Sequence, residues 1–213
     1  MTPLDYAATI AYSNRDTLQF SYNCAKSLAN VPGDFVECGV AAGAQIIAMK
    51  YGAPNKTIWA FDSFEGIPLP SNRDYERPGI CYIDELERKI LPNPGEQVLK
   101  SSGVTIVPLD SFYEHLNLSG VGIENVIPVK GWFEKTLPNN EVKEISLLRL
   151  DGDLYNSTYV CLKHLFEKVV VGGIVIIDDW MLRGSREACI DYFNKIRYMP
   201  NYQFVSNIAY FIR

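Results

Sequence analysis

The chain has 213 residues, 47% hydrophobic and 21% charged, an ordinary globular mixture able to bury a core. A net charge of −5 and a pI near 5.1 argue against a nucleic-acid groove or a polybasic membrane patch, because phosphate recognition needs a basic surface. No apolar run reaches the roughly 18 residues that span a bilayer, no signal-peptide pattern opens the chain, and five scattered cysteines without CxxC or CxxH spacing fit reduced thiols in the cytoplasm rather than disulfides or zinc.

Up to Leu28 the chain reads as one or two helices rich in tyrosine and small residues. "GDFVECGV" follows a Pro-Gly turn and predicts a strand, "AAGAQIIAMKYG" a helix and "TIWAFDSF" a second strand. Residues 65–100 change character: Pro and Gly punctuate "GIPLPSNRDYERPG" and "LPNPG" around a helical "YIDELERKIL", the pattern of a lid or substrate insertion. Arg73, Asp74, Tyr75 and Arg77 in it read first as solvated loop residues, with substrate contact as the alternative.

"SFYEHL" carries Ser111 and Glu114 at capping-box spacing. "NVIPVKG", "EISLLRLD" and "GGIVIID" predict a third, fourth and fifth strand. "STYVCLKHLFEKV" reads as a helix with Ser157 as N-cap, "SREACIDYFNKIRY" as another, and "YQFVSNIAYFIR" as one or two closing strands. His115 and His164 read as helix-face histidines. Aliphatic, non-alternating strands interleaved with helices mean an α/β domain over residues 1–213, with a mostly parallel sheet covered on both faces.

Ligands bind beyond the carboxyl ends of such strands. Gly39 and Gly43 follow the first strand, Asp62 the second, and Lys130, Gly131 and Trp132 the third. Asp151 and Asp153 follow the fourth strand, Asp178 and Asp179 the fifth. "ECGVAAGA" is a strand-to-helix turn that lets a ligand approach the backbone, though Ala41 stands where GxGxxG has its middle glycine. An acid at Asp62 suits the ribose hydroxyls of any adenosine ligand, so NAD and S-adenosylmethionine both fit. The incomplete dinucleotide fingerprint favours the latter, which has no pyrophosphate to cradle.

"GDFVECGVAAGA", "FDSFEGIP", "VKGWFEKTLP", "LRLDGDLYNST" and "GGIVIIDDW", in that order, resemble the macrocin and novobiocin-type sugar O-methyltransferases, a metal-dependent class I family, over residues 33–190. The resemblance implies a Rossmann-like, seven-stranded fold, S-adenosylmethionine as donor, a small-molecule acceptor with a hydroxyl group, and a homodimer. It implies that Glu37, Gly39 and Gly43 form the cofactor loop, that Asp62 and Ser63 hold the ribose, and that Gly131 and Trp132 lie by the adenine. The sequence departs from the family at Ala41 and Ala42, where relatives more often carry a bulky residue and an arginine.

Adjacent fourth and fifth strands would bring Asp151 to Asp178 and Asp179, and carboxylates without Cys or His suit Mg²⁺, or Mn²⁺ or Fe²⁺. In the resembled family these three positions bind the metal, Asp151 also bordering the cofactor, and the position of Asp153 is the proposed general base. Tyr155 lies beside them as a candidate for the acceptor pocket. Arg149 is unusual within an aliphatic strand, and either one of the acids or Glu37 is its expected partner. The rival expectations are a catechol acceptor, a nucleotide-binding module without catalysis, and an NAD-dependent oxidoreductase.

Overall fold

Runs of aliphatic residues without alternation become strands buried on both faces, and these strands form the middle of the fold. The computed structural model describes residues 1–77, 80, 81, 83 and 99–213. Its helices are α1 (Pro3–Ile10), α2 (Arg15–Ser27), α3 (Ala44–Gly52), α4 (Leu109–Leu118), α5 (Phe133–Thr136), α6 (Tyr155–Leu165) and α7 (Arg183–Ile196). Its strands are β1 (Asp34–Cys38), β2 (Ile58–Asp62), β3 (Tyr75–Arg77), β4 (Ile80–Cys81), β5 (Val126–Lys130), β6 (Ile145–Leu150), β7 (Val169–Ile177), β8 (Gln203–Val205) and β9 (Ile208–Ile212).

The main sheet has seven strands in the order β5-β2-β1-β6-β7-β9-β8. The first five in that order pair in parallel, and β9 and β8 join antiparallel. β3 and β4 form a separate hairpin. β1 neighbours β2 on one side and β6 on the other, so the chain reverses direction across the sheet between β1 and β6. That switch opens a crevice at the carboxyl ends of the strands.

Pleating sends alternate residues to opposite cores. Phe35, Leu147 and Ile176 pack with α1, α2, α3 and α4 through Leu18, Ile46, Met49 and Phe112. Val36, Leu148 and Ile177 pack with α6 and α7 through Leu162, Leu165 and Phe193. This is the doubly covered parallel sheet that the strand and helix pattern predicts. Among the described residues, no helix is long and apolar enough to cross a membrane.

Two helices start earlier than local signals indicate. α4 begins at Leu109 behind Pro108, whose φ of −62° presets the entry, and Ser111 lies inside the helix rather than capping it. α6 begins at Tyr155, and Ser157 is buried in its first turn. Both helices lack a side-chain cap from their own N-cap residue. The predicted helix in "YIDELERKIL" lies almost wholly outside the described residues, as does the Arg77 side chain.

Candidate active site

Register and pleat place the polar residues before any contact is considered. Glu37 on β1 pairs with Arg149 on β6, and Arg149 pairs with Ile176 on β7. Asp151 and Asp178 each follow one of these partners by two residues, so all four polar side chains share the face that packs against the N-terminal helices. Asp151 N–H donates to the Cys38 carbonyl and Asp178 N–H to the Leu150 carbonyl, both at 2.8 Å, extending the ladders past the strand ends.

Arg149 is fully buried and bridges three acids. Its Nη1 donates to Glu37 Oε1 at 2.7 Å and to Asp151 Oδ2 at 2.5 Å, and its Nη2 donates to Asp178 Oδ1. The alternatives that the sequence left open are therefore both realised. A planar fork with donors on two sides can serve several carboxylates at once, which an ammonium cannot do with the same geometry.

One guanidinium does not balance the cluster. Asp153, at φ +59°, and Asp179 complete it, and Asp153 N–H donates to Asp179 Oδ2 at 2.7 Å. Burial pushes the Glu37 carboxyl up to about 8 against the pull of Arg149, and pushes Asp178 up to about 7. Asp153 and Asp179 are raised well above the usual carboxylate range, first by burial and then by the surrounding acids. Oxygens of Asp151, Asp178 and Asp179 lie within 4.8 Å of one another. This hard, oxygen-only, over-negative set fits a divalent cation.

The turn after β1 depends on the end of β2. Asp62 Oδ2 accepts from Val40 N at 2.8 Å and Ala41 N at 3.0 Å, and Oδ1 accepts from Phe64 N at 2.7 Å. Ala41 has a φ of +43°, a conformation that costs an alanine free energy and is held here by those bonds. Ser63 Oγ donates to the Gly66 carbonyl, which sets the following turn. Gly43 is the left-handed N-cap of α3, where a Cβ would strike the Phe112 ring, and Gly131 donates to the Asp62 carbonyl.

Gly39 has the tightest requirement. At its φ of +89°, a Cβ would stand 1.7 Å from the Asp151 carbonyl oxygen. Gly39→Ala is expected to lose at least about 2 kcal/mol of stability through strain and overlap together, read as a fall in melting temperature. An unchanged melting temperature would show that the β1–β6 crevice is looser than described.

A cavity of about 460 Å³ opens over these residues. Glu37, Gly39, Asp62, Ser63 and Trp132 line it together with Asp151, Asp153, Asp178 and Asp179. Gly43 and Gly131 shape the turns behind it but are not in its wall, and neither is Tyr155, whose hydroxyl donates to Asp191 at 2.9 Å. The wall also includes residues that sequence reasoning passed over: Ile10 to Ser13, Gln45, Met181 and Asn207. Gln45 had a signal, a polar residue among the apolar ones that open α3. Its Nε2 donates to Ser13 Oγ at 3.0 Å, tying the N-terminal segment over the cavity. Gln45 Oε1 and Glu37 Oε2 are buried and lack a partner among the described residues.

The family model for macrocin O-methyltransferase (TylF) matches residues 8–213. The chain is 36% identical over 169 residues to demethyldecarbamoylnovobiocin O-methyltransferase of Streptomyces niveus, covering 77% of this chain and 59% of that one. It is 32% identical over 184 residues to 8-demethyl-8-(2,3-dimethoxy-alpha-L-rhamnosyl)-tetracenomycin-C 4'-O-methyltransferase of Streptomyces olivaceus, covering 83% and 64%. The chain thus spans about three-fifths of the length of these curated relatives. Among solved structures, the O-methyltransferase NovP superposes with a TM-score of 0.79 at 28% identity, covering 96% of this chain and 82% of that one.

Proposed function

The chain belongs to the macrocin O-methyltransferase family, and from that premise we propose that it methylates a hydroxyl of a sugar or glycosylated natural product, using S-adenosylmethionine and a divalent cation. The observation that carries this reading is one cavity walled both by a tight turn with an acid behind it and by an over-negative carboxylate cluster. The activities for which these relatives are named support it, one of them specifying a position on a rhamnosyl-bearing substrate.

In this reading the turn at Gly39, Asp62 and Ser63 hold the adenosine part, with Trp132 against the adenine. The unpartnered Glu37 Oε2 and Gln45 Oε1 suit the ammonium of the cofactor's amino-acid end, since buried acceptors without donors are costly. S-adenosylmethionine supplies an electrophilic methyl group when bound. Asp151, Asp178 and Asp179 would hold the cation, whose charge lowers the pKa of a nearby hydroxyl. Asp153 would take the proton from the acceptor hydroxyl as the hydroxyl oxygen bonds to the methyl carbon and the methyl–sulfur bond breaks, releasing a neutral thioether. The cavity wall orients the acceptor and limits water, and such positioning supplies much of the rate.

Calorimetric titration with S-adenosylmethionine and with NAD, each in Mg²⁺ and then in EDTA, tests the binding half. Expected are S-adenosylmethionine binding, no NAD binding, and a separate Mg²⁺ site lost in Asp178→Ala. Transfer of a labelled methyl group to a sugar-bearing acceptor, abolished by EDTA, tests the chemistry. Binding of NAD instead, or turnover indifferent to EDTA, would overturn the respective part of the reading.

A further inference from the structure

The N-terminus of α6 immediately follows Asp153, and its cap comes from elsewhere in the chain. Leu154 occupies the N-cap position without a side-chain bond. Tyr155 N–H instead donates to Asp74 Oδ1 at 2.7 Å, 81 residues earlier in the chain. Asp74 is 4% exposed, and its Oδ2 accepts from Ser71 N at 2.7 Å and Ser71 Oγ at 2.8 Å. The acid that looked like part of a solvated loop is therefore buried and bonded.

The neighbourhood is built to keep it there. A Cβ on Gly184 of α7 would stand 2.0 Å from Asp74 Oδ1, so the glycine makes the room that Asp74 occupies. Arg73 donates to Glu187 at 3.2 Å and Asp191 at 2.7 Å while its guanidinium lies 4.1 Å over the Tyr155 ring. Arg183 donates to the Tyr75 carbonyl. Leu154 packs with Cys81, Ile67, Tyr75, Ile83 and Val104. The segment from Ser71 to Tyr75 is thus joined to α7 and to the start of α6, immediately after the Asp153 turn.

We propose that Asp74 is a positioning residue for Asp153. The left-handed turn at Asp153 has two anchors: its own N–H on Asp179, and the Tyr155 N–H on Asp74. The first belongs to the candidate cation set. The second is outside the wall of the cavity and fixes where the backbone leaves Asp153, hence where its carboxylate points. A displacement of about 1 Å at such a group costs on the order of 10²-fold in rate. The proposal rests on the functional reading above, in which Asp153 accepts the proton.

The test uses the full chain with Mg²⁺ and a sugar-bearing acceptor. Asp74→Ala is expected to lower kcat about 10²-fold, with S-adenosylmethionine affinity within about twofold by calorimetry. Asp74→Asn keeps one acceptor for Tyr155 N–H but turns an amide donor toward Ser71 N–H, and is expected to recover part of the rate. Gly184→Ala crowds both Asp74 Oδ1 and Tyr155 N from the α7 side while favouring the helix, so it disrupts the same bond and is expected to repeat the kcat loss if Asp74→Ala fails to fold. Wild-type kcat in a folded Asp74→Ala or Gly184→Ala variant would overturn the proposal alone. Absence of methyl transfer by the wild-type protein would overturn the functional reading and the proposal together.

Discussion

Replacing Arg149 by methionine is expected to cost about 3–5 kcal/mol of folding stability at neutral pH in the absence of metal. Arg149 is the guanidinium between Glu37, Asp151 and Asp178, and it is fully buried. Methionine fills most of its volume, so the loss comes from uncompensated carboxylates rather than from a cavity. Urea denaturation with and without EDTA measures it.

A second arm separates this from a generic core defect. Arg149 engages one oxygen of Asp151 and one of Asp178, both in the candidate cation set. Without it, the folded site is more negative and those oxygens are freed. Mg²⁺ is therefore expected to restore more stability to Arg149→Met than it adds to the wild-type protein, because a ligand stabilises the state it binds. Equal Mg²⁺ effects in both would separate Arg149 from the cation site.

The same cluster sets a pH dependence for the metal-free protein. Burial raises the Glu37 carboxyl from 4.5 to about 8 in the folded chain. Between those values the folded state binds more protons than the unfolded one. Stability is then highest below the lower value, falls as pH rises through the window, and levels off above about 8. Melting temperatures across this window should fall in wild type, and Glu37→Gln should reduce the slope, the remainder coming from the raised Asp153, Asp178 and Asp179. A melting temperature that rose with pH would contradict the assignment.

Asp153→Asn is expected to lower kcat for a sugar hydroxyl by about 10²–10⁴-fold, the usual contribution of a general base. The substitution is mild for the backbone, because Asn is among the few residues that tolerate the left-handed φ of +59° seen here. The Asp153 N–H bond to Asp179 is retained, and affinity for Mg²⁺ and S-adenosylmethionine should change little. A catechol hydroxyl is far more acidic and needs the base less, so any catechol turnover should survive. Single-turnover rates with both acceptor types read the contrast. Undiminished sugar turnover would remove Asp153 from this role.

The elements of the sheet were legible because their signals are local. "FVEC", "LLRL" and "IVII" are aliphatic runs that end in polar residues, and each became a buried strand of the crevice. Their chain order with the intervening helices implied a mostly parallel sheet, and position at a strand's carboxyl end gathered Asp62, Asp151, Asp153, Asp178 and Asp179 on one edge. The acidic cluster and its need for positive charge could be read before any coordinate. Helix starts were less legible: Ser111 and Ser157 have the right chemistry for caps, but chain entry at Pro108 and the turn at Asp153 start the helices before them.

What only the tertiary structure decided are pairings between residues far apart in the chain. Arg149 reaches Glu37 across 112 positions, and Asp74 caps Tyr155 across 81. Asp62 directs one oxygen at the Val40 and Ala41 amides, a use that its position after β2 did not reveal. The N-terminal segment became a wall of the cavity through Gln45 and Ser13. Periodicity and turn chemistry act over a few residues and so can be read along the sequence. The partner of a buried charge depends on strand register and helix docking, which exist only once the sheet has formed.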